Sequence, residues 1–322
     1  MRIRYLSYGI TKTGGYRHEN CLFESLVKHY AERGKVKAER YRRQRLFESL
    51  PAYLNLLIWA FFKAGADINI VTGRTAVPAI LRNLFNRKSV WIVLHNYDED
   101  DGKAARLTWY FERMFGLLRK YPHGRFKVIV VAPYWLRYFQ ETKGLKHVYL
   151  FPNLFDNAFY LPFHTAHKNA WVHLGQFSSK NDSEIFELAA MLSQKGYYCY
   201  FSTLNPAEAR NSNGRFEVIC FNGFKDYLEH LSRSCCSLAL SRVKEGWSRT
   251  SHESILVGTP VIGYDRGGLG DLLKASNSVI VKDIHEAYTC ITESLWVLPD
   301  SSFMQPYDLQ KAKDYLKPIC RD

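Results

Sequence analysis

The chain has 322 residues, enough for two domains with separate cores. A hydrophobic share of 47% beside 23% charged residues excludes a disordered chain, and aromatics at 15% supply bulk for cores and a binding site. The net charge of +13 favours a polyanionic partner (nucleotide phosphates, nucleic acid or an anionic membrane surface) without choosing among them.

In chain order, strands are expected at 3–7, 68–72, 90–95, 127–132 and 148–151, with helices at 20–33, 53–64 and 103–120. Met1 to Tyr5 runs straight into the first strand, and no apolar stretch of signal-peptide character follows. The most apolar window, 53–62, is about half of what a membrane span needs and reads as a core helix. The basic run 32–45 reads as a solvated surface segment, with a patch for acidic lipid headgroups as the sharper alternative. A stretch at 153–170, rich in Asn, Pro, His and Phe and without a period, reads as a linker between domains at 1–152 and 171–322. Beyond it come strands at 171–175, 197–203, 217–221, 237–240, 260–264 and 279–281, and helices at 183–195, 227–234 and 250–257. Strands alternating with amphipathic helices predict an α/β fold with a parallel sheet in each half. Two open sheets joined this way are expected to place a ligand crevice at the carboxyl ends of their strands. Seven cysteines, odd in number and without a CxxC pair, fit a reduced, cytoplasmic chain.

The densest information lies between Leu240 and Gly268. A strand ends at Leu240, a loop follows, and a helix is expected from Thr250 to the residue before Gly258, whose missing side chain suits a left-handed position after a helix. Such a helix start offers outward backbone N–H groups to an anion such as a diphosphate. Glu245 in the loop and Glu253 in the first turn could accept hydrogen bonds from vicinal sugar hydroxyls. Thr250-Ser251-His252-Glu253 is also a capping box, in which Glu253 would only satisfy an orphan amide.

Glu245-Gly246-Trp247-Ser248, then Glu253, then Gly258-Thr259-Pro260-Val261, then Asp265-Arg266-Gly267-Gly268 together resemble, in order and spacing, the signature of retaining GT-B glycosyltransferases, chiefly family 4. That resemblance implies two Rossmann-like domains facing across a cleft: an N-terminal acceptor domain and a C-terminal nucleotide-sugar-binding domain, whose last helix can pack back on the first. It implies a cytoplasmic glycosyltransferase of polysaccharide biosynthesis, with a nucleotide-diphosphate sugar as co-substrate, a glycan or lipid-linked acceptor, retention of configuration, and no metal. By resemblance Glu245 lies against the donor sugar, Glu253 holds the ribose, and the backbone of Gly246, Trp247, Ser248, Arg249 and Thr250 contacts sugar and phosphate. Ser248 stands where the family has a second glycine. Gly175-Gln176-Phe177-Ser178-Ser179-Lys180 resembles the family's diphosphate loop, with Lys180 beside the leaving phosphate and Gln176 in place of an arginine. Arg249 and Arg242 are cations that could compensate. Thr13-Gly14-Gly15 resembles the family's glycine loop, and His95, at a strand end, its histidine near the reacting sugar.

Four other readings compete. The D-x-D within Asp98-Glu99-Asp100-Asp101 is the metal motif of GT-A transferases, or a solvated acidic loop. The departures at Gln176 and Ser248 allow a degenerate module that binds a nucleotide or glycan without transfer. A nucleic-acid role rests on charge alone, and a dinucleotide dehydrogenase lacks its G-x-G-x-x-G after the first strand.

Overall fold

The computed structural model describes residues 1–7, 14–42, 51–95, 97, 105–177 and 183–321. They form two compact units, Met1–Leu154 with Leu309–Asp322, and Phe155–Asp308.

The first unit is built on six strands, β1 (Arg2–Ser7), β2 (Lys37–Arg42), β3 (Ile68–Thr72), β4 (Ser89–Leu94), β5 (Phe126–Val130) and β6 (Val148–Leu150). All neighbours are parallel, in the order β2-β1-β3-β4-β5-β6. The order reverses beside β1, so the carboxyl ends of β1 and β3 mark the switch point where ligands of open sheets gather. β4 and β5 are apolar and buried almost throughout, as central parallel strands covered on both faces must be.

β2 lies inside the basic run, whose described residues are mostly exposed, as a solvated surface segment should be. An edge strand tolerates charge, which also blocks pairing with another chain. Its Glu39 accepts a hydrogen bond from Arg4 Nε at 2.9 Å, and the Arg4 guanidinium lies 4.6 Å from the Tyr41 ring centroid. The helix Gly73–Asn83 is absent from the sequence reading because Pro78 interrupts its pattern. Pro78 has no N–H for the carbonyl of Arg74, and the Tyr110 hydroxyl donates to that carbonyl instead, at 2.8 Å. The C-terminal helix Ala312–Ile319 closes this unit, burying Leu316 and Ile319 in its core, and the buried ammonium of Lys127 caps the Ile319 carbonyl.

The second unit carries β7 (Asn169–Gln176), β8 (Tyr198–Thr203), β9 (Glu217–Cys220), β10 (Ser234–Ala239), β11 (Val261–Gly263) and β12 (Val279–Ile280). These too are all parallel, in the order β12-β11-β10-β7-β8-β9. This is the doubly wound order of a dinucleotide-type sheet, with its switch point between β7 and β10. Ser237 pairs with His173, so the two strands run out side by side near Gly175 and Ala239.

Residues 155–168, expected within a linker, pack into this second unit. Their aromatic side chains find partners there: Phe155 stacks on His252 at 5.2 Å, and Phe159 on Phe224 at 6.1 Å. A stretch with that much apolar surface gains more by burial than by spanning solvent.

Candidate functional site

The loop after β10 and the helix Arg249–Leu256 occupy the switch point of the second unit. The helix begins with Ser248, not Thr250, as its N-cap: the Ser248 hydroxyl accepts the Ser251 amide at 3.3 Å. The Ser248 carbonyl accepts both the His252 amide, at 3.2 Å, and His252 Nδ1–H, at 2.7 Å. A serine in the family's glycine position thus has a structural use, since serine is a favoured cap. Of the amides that open the helix, that of Ser251 is capped internally. Those of Arg249 and Thr250 have no acceptor among the described residues.

The far end of the helix is a Schellman motif. Gly258 at φ +76° donates to the Ile255 carbonyl and Thr259 to that of Ser254, at 3.0 and 2.8 Å. The Thr259 hydroxyl then ties the turn to the Leu231 carbonyl at 2.7 Å. The Gly-Thr-Pro segment therefore fixes the helix against its neighbours and aims its start.

Glu253 is 5% exposed and does not cap the helix, which removes the capping-box alternative. One carboxylate oxygen accepts from Arg249 Nε at 3.1 Å, and the Arg249 guanidinium lies 4.4 Å from the centroid of Phe155. Burial, and next the charge of Glu253, push the Tyr227 hydroxyl well above its ordinary range. Of the two arginines that could replace the missing cation at Gln176, Arg249 is therefore beside Glu253, whereas Arg242 pairs with Glu184 on the helix Ser183–Gln194. Gln176 itself ends β7 and is exposed.

Glu245 is clamped through its backbone. It forms a parallel bridge with Gly267, and its carbonyl accepts the Gly268 amide at 3.0 Å. Gly267 has φ +58°, and a Cβ there would stand 2.8 Å from the Glu245 carbonyl oxygen, so a side chain is excluded by both strain and contact. The Asp-x-Gly-Gly segment is thus a rest for the Glu245 loop. Burial raises the Glu245 carboxyl above the usual carboxylate range, partly offset by a hydrogen bond with Ser241. The Trp247 ring is buried, 4.7 Å from His252 and 4.5 Å from Tyr307 between centroids, so its indole serves packing. Lys180 lies outside the described residues.

In the first unit, Gly15 falls in the first turn of the helix Gly14–Ala31, which starts earlier than its sequence pattern indicates. Thr13 and Asp98 to Asp101 lie outside the described residues. His95 follows β4 directly, half-buried, and its Nε2 lies 2.9 Å from Oε1 of Glu19. Glu19 is 6% exposed, and its other oxygen accepts the Tyr5 hydroxyl. The buried ring of His18 meets that of His95 edge-on at 5.2 Å and donates to the Phe151 carbonyl at 2.6 Å. Sequence reasoning omitted Glu19. A lone helix carboxylate carries no motif, and only the parallel register that brings β1 and β4 near this helix reveals it.

Among the described residues no three His, Cys, Asp or Glu side chains gather as a metal site would require, and no helix is long and apolar enough to cross a membrane. A pocket of about 340 Å³ lies at the amino ends of β1 to β4, lined by Arg2, Lys37, Gly65, Asp67 and Lys88.

No protein-family model matches the sequence, nor does any curated protein. Solved structures do match in fold. HepE from Anabaena in complex with UDP and glucose aligns with a TM-score of 0.70 at 15% identity, covering 99% of this chain and 98% of that one. Sucrose-phosphate synthase from Thermosynechococcus elongatus gives 0.68 at 15% identity over 99% and 96%. A glycosyltransferase from Rickettsia africae gives 0.62 at 12% identity over 100% and 99%. The chain therefore has the fold of the GT-B glycosyltransferases: two Rossmann-like domains, each on a parallel six-stranded sheet.

Proposed function

We propose that this protein is a glycosyltransferase that takes a sugar from a nucleoside diphosphate and passes it, with retention, to a glycan or lipid-linked acceptor. The observation that carries this reading is the helix start at the second unit's switch point, where the Arg249 and Thr250 amides have no acceptor among the described residues and Glu245 and Glu253 stand on either side of them in sequence. As the leaving diphosphate gains charge, the helix N-terminus stabilises it, and Arg249 and Lys180 add positive charge. That arrangement can replace a divalent ion, so we infer metal-independent transfer. Glu253 is assigned to the ribose, Glu245 to the sugar as it becomes an oxocarbenium-like species, and Gly246 to Thr250 to the donor through their backbone. Gln176 approaches the diphosphate as a neutral donor. Gly15 and His95 are assigned to the acceptor side and the sugar being transferred.

A binding module without activity is the weaker reading, because the serine at 248 preserves the helix start as its cap. HepE, which shares the fold, has been crystallised with UDP-glucose, and this directs the first test to uridine donors. Calorimetry across UDP-, GDP-, ADP- and dTDP-sugars, with excess chelator present, is expected to show one saturable winner. Glu253→Ala should weaken that donor about ten- to a hundred-fold, the worth of a charged hydrogen bond. Binding of none of the four, or equal affinity in the variant with an unchanged Tm, would defeat the assignment of Glu253.

We further propose that the first unit rests on an anionic membrane surface. Phe62 and Phe85 are 61% and 95% exposed, and Phe85 falls in a basic stretch with Arg82, Arg87 and Lys88. Apolar wedges flanked by cations suit acidic headgroups. In the basic run, by contrast, Lys37 and Arg40 already pair with Glu39 and Glu24. Cosedimentation with phosphatidylglycerol vesicles at low salt should fall at least severalfold in a Phe62→Ser, Phe85→Ser variant; no binding by the wild type would end this idea.

A further inference from the structure

The geometry points to Glu19 as the positioning residue for His95, an assignment that rests on the transferase reading. We infer that its carboxylate fixes the imidazole so that Nε2 is the bound donor and Nδ1 is the nitrogen offered to a substrate hydroxyl. An ionised carboxylate only accepts hydrogen bonds, so the 2.9 Å contact requires a proton on Nε2 and thereby selects the tautomer. The carboxylate cannot easily turn away. It is 6% exposed, both oxygens are engaged, and the second receives the Tyr5 hydroxyl from the middle of β1. The His18 ring against His95 blocks a second direction, and His18 is itself pinned to the Phe151 carbonyl.

A purely structural use explains this arrangement poorly. His95 keeps 30% of its side chain exposed at the carboxyl end of β4. A buried carboxylate costs several kcal/mol of desolvation unless well partnered. A histidine wanted only for packing could be met by a neutral acceptor. The cost is intelligible when the histidine has to be held in one tautomer and one orientation, as carboxylates hydrogen-bonded to metal-bound imidazoles do elsewhere.

A double-mutant cycle on the full chain tests this, with transfer from the preferred donor and imidazole ¹⁵N NMR as two independent readouts. Glu19→Gln keeps shape but offers one oxygen where two donors need one. It should lower kcat about ten- to a hundred-fold with KM for the donor nearly unchanged. In a His95→Ala background the same substitution should change kcat less than twofold, because Glu19 acts through the imidazole. The slowly exchanging Nε2–H signal of His95 should be present in the wild type and lost in Glu19→Gln. Equal kcat losses in both backgrounds, or an unchanged His95 signal in Glu19→Gln, would overturn the assignment. If the wild type transfers no sugar, the transferase reading fails on that result, and the NMR comparison alone then decides whether Glu19 sets the tautomer.

Discussion

Replacing Glu245 with glutamine should lower turnover by about a hundred- to a thousand-fold, the usual loss when one preorganised electrostatic contact to the transition state is removed. Donor affinity should change little, because the developing charge on the sugar exists only during transfer. The carboxyl is held above the ordinary carboxylate range by burial, so its ionisation also leaves a signature. Turnover in the wild type should rise with pH through a midpoint above that of an ordinary glutamate, and this limb should vanish in Glu245→Gln. Gly267→Ala gives a second arm. It leaves the carboxylate in place but sets a Cβ 2.8 Å from the Glu245 carbonyl at φ +58°, at a cost of about 1–2 kcal/mol in backbone strain. Its kcat should fall as well, with a modest drop in Tm. Wild-type kcat in Glu245→Gln, measured with the donor that binds best, would remove Glu245 from the chemistry.

How far the sequence discloses this molecule depends on whether a feature is local. The central strands β3, β4 and β5 are short apolar runs bounded by turn residues, and their pattern is visible within a few positions. β2 is not, because an edge strand of Lys, Glu and Arg carries no apolar period. The helix Gly73–Asn83 hides behind Pro78, whose lost hydrogen bond is repaired by Tyr110, distant in sequence. At the site, the order of Glu245, Glu253, Gly258 and Gly267 was legible because one loop-helix-turn unit contains them all. The role of Ser248 was not. It depends on where the helix begins, and boundaries are the least certain part of any pattern. Glu19 and its pairing with His95 span 76 positions and arise only from the fold.

Acid should unfold the second unit first, over a window governed by its buried histidines, chiefly His173 and His252, with His230 lowered by burial in the same sense. His173 and His252 are both fully buried, and burial pushes each down to about 3 from an ordinary value of 6.5. His173 lies within β7 between the hydroxyls of Ser237 and Ser202, at 2.9 and 3.2 Å, groups that bind a neutral ring well but offer a cation no charge. His252 gives Nδ1–H to the Ser248 carbonyl, while its Nε2 is buried without a partner among the described residues. Both are therefore neutral when folded and protonated when unfolded below pH 6.5. Their contribution is whole above that value and is lost progressively as pH falls towards 3. Each should cost about 1.4 kcal/mol per pH unit, or roughly 2.7 kcal/mol for the pair between pH 7.5 and 5.5. Glu245, raised by burial, acts in the opposite sense near its own midpoint. Carboxylates lowered by hydrogen bonding, such as Glu39 in the first unit, lose their contribution only below about 4.5 and do not enter the window. Urea titrations at pH 7.5 and 5.5, followed by hydrogen exchange in each unit, should show the transition of residues 155–308 moving to lower urea while the first unit moves less. A His173→Gln, His252→Gln variant, though less stable at pH 7.5, should show a flatter pH dependence, since neither replacement can take up the proton. A slope the same as that of the wild type would mean that these rings are not the source of the acid sensitivity.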